Sequence, residues 1–175
     1  MQKIKMKLMW IMLSFLFFIT TGCGKDEKRI EISELGFSMK LPLGWKIDKV
    51  GDKISKATFY KPGSQHSDVG KITQYFLEGK TLTEFVENKL EESQKIKTSL
   101  GDIKVFQIIL VSKNSRTING LEAIEVVYEI EDYSNFEVFI RKGEKVITVF
   151  IETLKEDFPK YIPSFRESIE TIKIR

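Results

Sequence analysis

"KVITVFIET", residues 145–153, carries two apolar rows instead of one. Side chains alternate across a strand, so Val146, Thr148 and Phe150 face one way and Ile147, Val149 and Ile151 the other. A strand lying against solvent shows one polar row. A strand apolar on both faces belongs in the middle of a sheet with cover on either side. Immediately upstream, "FEVFIRK" (136–142) forms its hairpin partner across Gly143. One residue run thus asks for a sheet between two layers.

The flanking segments supply both. "LEAIEVVYEI" (121–130) alternates, with Ile124, Val126, Tyr128 and Ile130 on one side and Glu125 and Glu129 on the other, and "VFQIILVS" (105–112) reads as a further strand. Towards the N-terminus, "GFSMKLPLGWKI" predicts a short strand over 37–41, a turn at 42–44 and an extended piece from Trp45. "ISKATFY" (54–60) and "KITQYFL" (71–77) read as strands around the loop "KPGSQHSDVG". Phe37 and Trp45 are expected in the core.

The period changes at 81–93, where Leu82, Phe85, Val86 and Leu90 share a helical face and Thr81 with Glu84 has capping-box spacing. A second helical stripe, Ile162, Phe165, Ile169 and Ile172, closes the chain, with Pro163 expected in its first turn. The fold class that follows is α+β: an antiparallel sheet flanked by helices on both faces, an α/β/α sandwich and not a parallel α/β fold.

The first residues read differently. Lys3, Lys5 and Lys7 precede 13 uncharged residues, 8–20, a basic then apolar pattern typical of export signals and short of the ~20 residues that span a bilayer. Thr20, Thr21 and Gly22 lead to Cys23, the one cysteine. This stretch resembles the lipobox of bacterial lipoproteins, with Thr20 where an aliphatic residue is usual. The resemblance implies cleavage before Cys23 and an acyl anchor on it. An unpaired thiol in an uncleaved leader and a disulfide to another chain are the other readings. A catalytic thiolate needs a structured electropositive setting, which "TTGCGKDEK" does not offer.

The expected organisation is a signal over 1–22, a tether over 23–29 and a single domain over 30–175. Three of the 28 Lys and Arg lie in the leader, which leaves 25 against 25 Asp and Glu in the mature 153 residues. A neutral domain lacks the cationic excess that nucleic-acid binding requires, so no nucleic-acid partner is expected. The expected partners are the membrane, through lipidated Cys23, and a protein not specified by sequence. Gly24, in place of Asp after the anchor cysteine, implies by the lipoprotein likeness the outer membrane in an organism that has one.

"ELGFSMKLPLGWKI", "INGLEAIEVVYEI" and "VFIETLKEDFPKYIPSFRESIETIKI", in that order, resemble the PsbP-like family, with DcrB-type proteins sharing the pattern. The resemblance covers nearly all of the mature chain and implies the same antiparallel sheet between helix layers. Its best-known members are extrinsic subunits at the lumenal face of photosystem II, and many bacterial members are lipoproteins. The matched motifs form the fold. They carry no catalytic residue and imply no cofactor.

Candidate chemistry is sparse. His66 is the only histidine, in "SQHSD" with Ser64, Ser67 and Asp68. Triad members meet through the fold and not as neighbours, so a solvated loop is expected there. Glu129, Glu131, Asp132 and Asn135 offer hard oxygen ligands for calcium, or simply a hairpin turn. No enzyme is expected. The two functional readings are a lipid-anchored module docking on a membrane or envelope complex through an exposed apolar patch, and a small-ligand binder or enzyme using a sheet–helix cleft.

Overall fold

The computed structural model describes residues 28–51, 56–63, 68–97 and 103–175. In chain order the elements are β1 (Arg29–Ile32), a 3₁₀ turn (Ser33–Leu35), β2 (Phe37–Lys40), β3 (Lys46–Val50), β4 (Ala57–Tyr60) and β5 (Val69–Phe76). There follow helix α1 (Leu82–Ser93), β6 (Lys95–Lys97), β7 (Ile103–Val105), β8 (Ile108–Ile118), β9 (Leu121–Ile130), β10 (Tyr133–Lys142), β11 (Lys145–Leu154), helix α2 (Phe158–Glu170) and β12 (Lys173–Ile174). Seven strands form one antiparallel sheet in the order β3-β4-β5-β11-β10-β9-β8. The doubly apolar β11 is its middle strand, as its two rows require.

Each row of β11 meets a different helix. Ile147, Val149 and Ile151 share a core with Phe136, Val138 and Ile140 of β10 and with Tyr161, Phe165 and Ile169 of α2. Val146 and, in part, Phe150 join Phe139, Ile124 and Val126 beneath Leu82, Phe85 and Val86 of α1. The α2 side carries a further lid, the small sheet β1-β2-β12, which adds Ile30, Ile32, Phe37 and Met39 to that core. Trp45 stands edge-on to Phe165, Tyr161 and Phe59, with ring centroids 4.7, 6.0 and 5.7 Å away. Beside this cluster Gly70 pairs with Phe59 across the β4–β5 ladder, and a Cβ on Gly70 would overlap the Cε2–Cζ edge of the Phe59 ring.

Helix α1 starts as its sequence signals. The Glu84 amide donates to Thr81 Oγ1 at 3.2 Å, and the Thr81 amide donates to the Glu84 carboxylate at 2.8 Å. The Thr81 amide and then the Thr81 hydroxyl, both donating to it, hold the Glu84 carboxyl below its ordinary pKa.

Three expectations are corrected. Pro163 is not in the first turn of its helix: α2 begins at Phe158, Pro159 takes the early position, and Pro163 lies a turn further in. A proline there cannot donate to the carbonyl four residues back. Both prolines are exposed, so that lost bond falls on the solvent side, while buried Tyr161 and Phe165 hold the helix to the sheet. The strand expected over 105–112 divides. Val105 ends β7, which pairs with β6, whereas β8 begins at Ile108 and runs through "SKNSRT" to Ile118. Finally, Ile172 is buried but lies past α2, leading into β12.

One charged group is buried under α2. Glu125 of β9 is 4 % exposed, and its carboxylate accepts from Arg116 Nη1 at 2.6 Å and Arg166 Nη2 at 2.8 Å. Arg116 also pairs with Glu170. Arg116 is the more enclosed arginine, with 22 % side-chain exposure against 50 % for Arg166. Breaking a buried pair costs far more than breaking an exposed one. Arg116→Ala is therefore expected to cost about 2 kcal/mol in urea unfolding and Arg166→Ala below about 1 kcal/mol; the reverse order would refute this assignment of the pair.

Candidate functional site

On the α2 side a groove of about 490 Å³ lies between the 41–46 turn and the C-terminal half of α2. Leu41, Pro42 and Trp45 form its apolar base; Ser164, Ser168, Thr171 and Glu167 form the helix wall; and Lys28, Lys40 and Lys46 stand around its mouth. Pairing of β1 with β2 matches Arg29 to Lys40, which brings Lys28 beside the groove, and the Leu41 amide donates to the Lys28 carbonyl at 2.8 Å. The Lys40 amide donates to Thr171 Oγ1 at 2.8 Å, tying β2 to the end of α2.

The turn itself is tightly defined. The Trp45 amide donates to the Pro42 carbonyl at 3.1 Å, with Gly44 at φ +82°, the third-position geometry that favours glycine. Lys61 Nζ donates to the Leu43 carbonyl at 3.3 Å. Leu43 is left at the tip with 72 % exposure.

The opposite face holds a polar cluster at the last turn of α1. The Tyr128 hydroxyl hydrogen-bonds with Glu137 and Ser93, and Lys89 Nζ lies 4.6 Å from the centre of the Tyr75 ring. Burial pushes the Glu137 carboxyl up to about 8, with Lys89 and Tyr128 pulling the other way. Burial likewise raises Tyr128 and Tyr75 above the ordinary phenol range, Glu137 adding to both. Glu152 is also raised by burial, against the opposing charge of Lys71. Asn135, 1 % exposed, sits between Tyr128 and Glu152 in register, its amide nitrogen without an acceptor among the described residues. This cluster keeps a proton on a carboxyl at neutral pH.

Sequence candidates fare unevenly. Cys23, Ser64, His66 and Ser67 lie outside the described residues. Asp68 is buried at the entry to β5. The calcium set is not assembled. Glu129 pairs with Lys155 at 2.9 Å and is matched in register to Ser134, so Asn135, the next residue, faces the other side of the sheet. Glu131 and Asp132 are exposed in the β9–β10 turn, with Glu131 at φ +50°. Among the described residues no three His, Cys, Asp or Glu are placed to share a metal ion. None of the described helices is long and apolar enough to cross a membrane.

Glu137 was missed as a special residue although a signal existed. It sits in "FEVFIRK", the direct hairpin partner of the middle strand, where both faces are covered.

No family model matches the sequence. No curated protein matches it either. Solved structures do match in shape. The cyanobacterial PsbP (CyanoP) of Synechocystis sp. PCC 6803 aligns with a TM-score of 0.62 at 15% identity, over 88% of this chain and 96% of that one. LpqN of Mycobacterium tuberculosis, a protein involved in cell envelope biogenesis, gives 0.55 at 10% identity over 87% of each chain. PA94 of Pseudomonas aeruginosa, of unknown function, gives 0.53 at 16% identity over 85% of this chain and 96% of that one. The alignments cover 85–88% of this chain, and the chain has the PsbP-like α/β/α fold.

Proposed function

We propose that the protein is a lipid-anchored, extracytoplasmic, non-catalytic module that docks on a protein complex of the membrane it is attached to. The observation that carries this reading is the outer strand β8, where Ile109, Leu110 and Val111 are 50, 51 and 57 % exposed at a bulge in the ladder, with Val105 nearby in sequence at 68 %. Edge strands with unpaired backbone groups are normally blunted by charge or covered, and contiguous exposed apolar side chains mark interaction sites. The basic then apolar leader and Cys23 support the anchor. The neighbours in shape support the setting: one is a PsbP, another belongs to cell envelope biogenesis. A photosystem subunit is the special case in which the recovered complex is photosynthetic.

The test is a mild-detergent pull-down from native membranes of wild type, Leu110→Lys and Cys23→Ala. Wild type is expected to retain a stoichiometric partner, Leu110→Lys to stay in the membrane without it, and Cys23→Ala to leave the membrane. A partner kept equally by Leu110→Lys, or no partner at all, would overturn the docking reading. Membrane retention of Cys23→Ala would overturn the anchor.

A further inference from the structure

The mature chain is formally neutral, yet three of its lysines gather at one groove. Lys28, Lys40 and Lys46 line it, Lys61 bonds the turn, and Glu167 is the one acid among the described residues of the lining. Leu43 lines the same groove and is 72 % exposed on a turn held by its glycine and its hydrogen bonds. An exposed apolar side chain that shares a groove with lysines suits an interface where hydrocarbon lies just below anionic headgroups. Behind the lysines, the hydroxyls of Ser164, Ser168 and Thr171 donate to the helix carbonyls of Tyr161, Ser164 and Ser168, which leaves the lysines as the groups that would meet a phosphate.

The position in the chain points the same way. Lys28 lines the groove and is five residues past Cys23. An extended chain covers at most about 3.6 Å per residue, so the groove mouth lies within about 18 Å of an acyl anchor at Cys23. Lys46 opens β3, one edge of the seven-stranded sheet, whereas the apolar strand β8 is the opposite edge.

We propose that this face lies on the bilayer, with Leu43 in the acyl boundary and the phosphate headgroup of an anionic phospholipid in the groove between Lys28, Lys40 and Lys46. The proposal rests on the anchor reading for the nearness of the membrane, and its chemistry stands on the groove itself. Edge β8 then points away from the lipid, free for a protein partner.

The test uses the full chain carrying Leu43→Cys, labelled there with an environment-sensitive fluorophore and reconstituted in vesicles of phosphatidylcholine with or without phosphatidylglycerol. A labelled chain with Leu43 intact reports any signal from Cys23. In phosphatidylglycerol the label at position 43 is expected to shift to the blue and to be quenched by nitroxide-bearing lipid. In phosphatidylcholine alone it should stay open to iodide. Changing Lys28, Lys40 and Lys46 together to Glu should abolish the shift, and changing them to Arg should keep it. Each lysine near an anionic surface is worth roughly a fivefold gain in binding, so the Glu variant should weaken it by at least about tenfold. A label equally open to iodide in both vesicles, with the circular dichroism of the folded protein retained, overturns the proposal. Mass of the Cys23 peptide reports acylation separately: a blue shift without acylation upholds the face and sinks the anchor, and acylation without a shift does the reverse.

Discussion

Gly70→Ala is expected to destabilise the fold by about 3 kcal/mol, at the upper end of what overpacking one methyl group costs. The added Cβ would overlap the Cε2–Cζ edge of the Phe59 ring. Phe59 is fully buried and ring-packed against Trp45 and Phe165, so it has no room to withdraw. Phe59→Leu alone should also cost stability, by leaving a void. If the clash is the cause, the double variant is expected to be less destabilised than the sum of the singles by at least about 1 kcal/mol. Additive losses in urea unfolding would show instead that Gly70 is needed for some other reason.

The second large effect depends on pH. Glu137 has its carboxyl pushed from 4.5 up to about 8 by burial. Near pH 4 folded and unfolded chains both hold the proton. As pH rises from 4.5 towards 8 the unfolded chain releases it and the folded chain does not, so this group's contribution falls with rising pH and levels off above the folded pKa. Glu137→Gln removes the charge that burial opposes. The variant should match wild type near pH 4.5 and exceed it by about 2–4 kcal/mol at pH 9. Parallel stability curves for the two proteins between these limits would mean that Glu137 is not held protonated by the fold. Tyr128→Phe should sharpen the effect, because the hydroxyl it removes is one of the two groups that stabilise the ionised carboxyl.

The main architecture was legible because it rests on patterns that local sequence states outright. The two apolar rows of β11 demand the middle of a sheet, and the structure puts it there. The Thr81–Glu84 pair marks the start of α1 to the residue. Segments whose conformation comes from a partner were harder. The outer half of β8 is polar because an edge strand is solvated, so nothing apolar marks "SKNSRT" as extended; its ladder to β9 does. Pro163 argues locally for a helix start, and the packing of Tyr161 and Phe165 overrides it. The groove was invisible for a similar reason. Lys28, Lys40 and Thr171 meet only because β1 pairs with β2 and the end of α2 bonds to it, and β1 was not foreseen as a strand. Glu137 could have been read, since a carboxylate in a strand next to the middle of a two-sided sheet has little water to reach.

The order of strands also bears on how such a chain is made. Strands β8 to β11 follow one another as hairpins, each beside its predecessor, so they can zip locally as they appear. The early strands cannot. β5 has its outer partner β4 at hand, but its inner partner is β11, and β2 waits for β12 at the very end of the chain. During N-to-C synthesis the first half therefore emerges without the surfaces that would bury it. On the export reading proposed above, that delay serves a chain that threads a translocon unfolded, because the N-terminal segment can engage export machinery while the domain behind it is still unable to close.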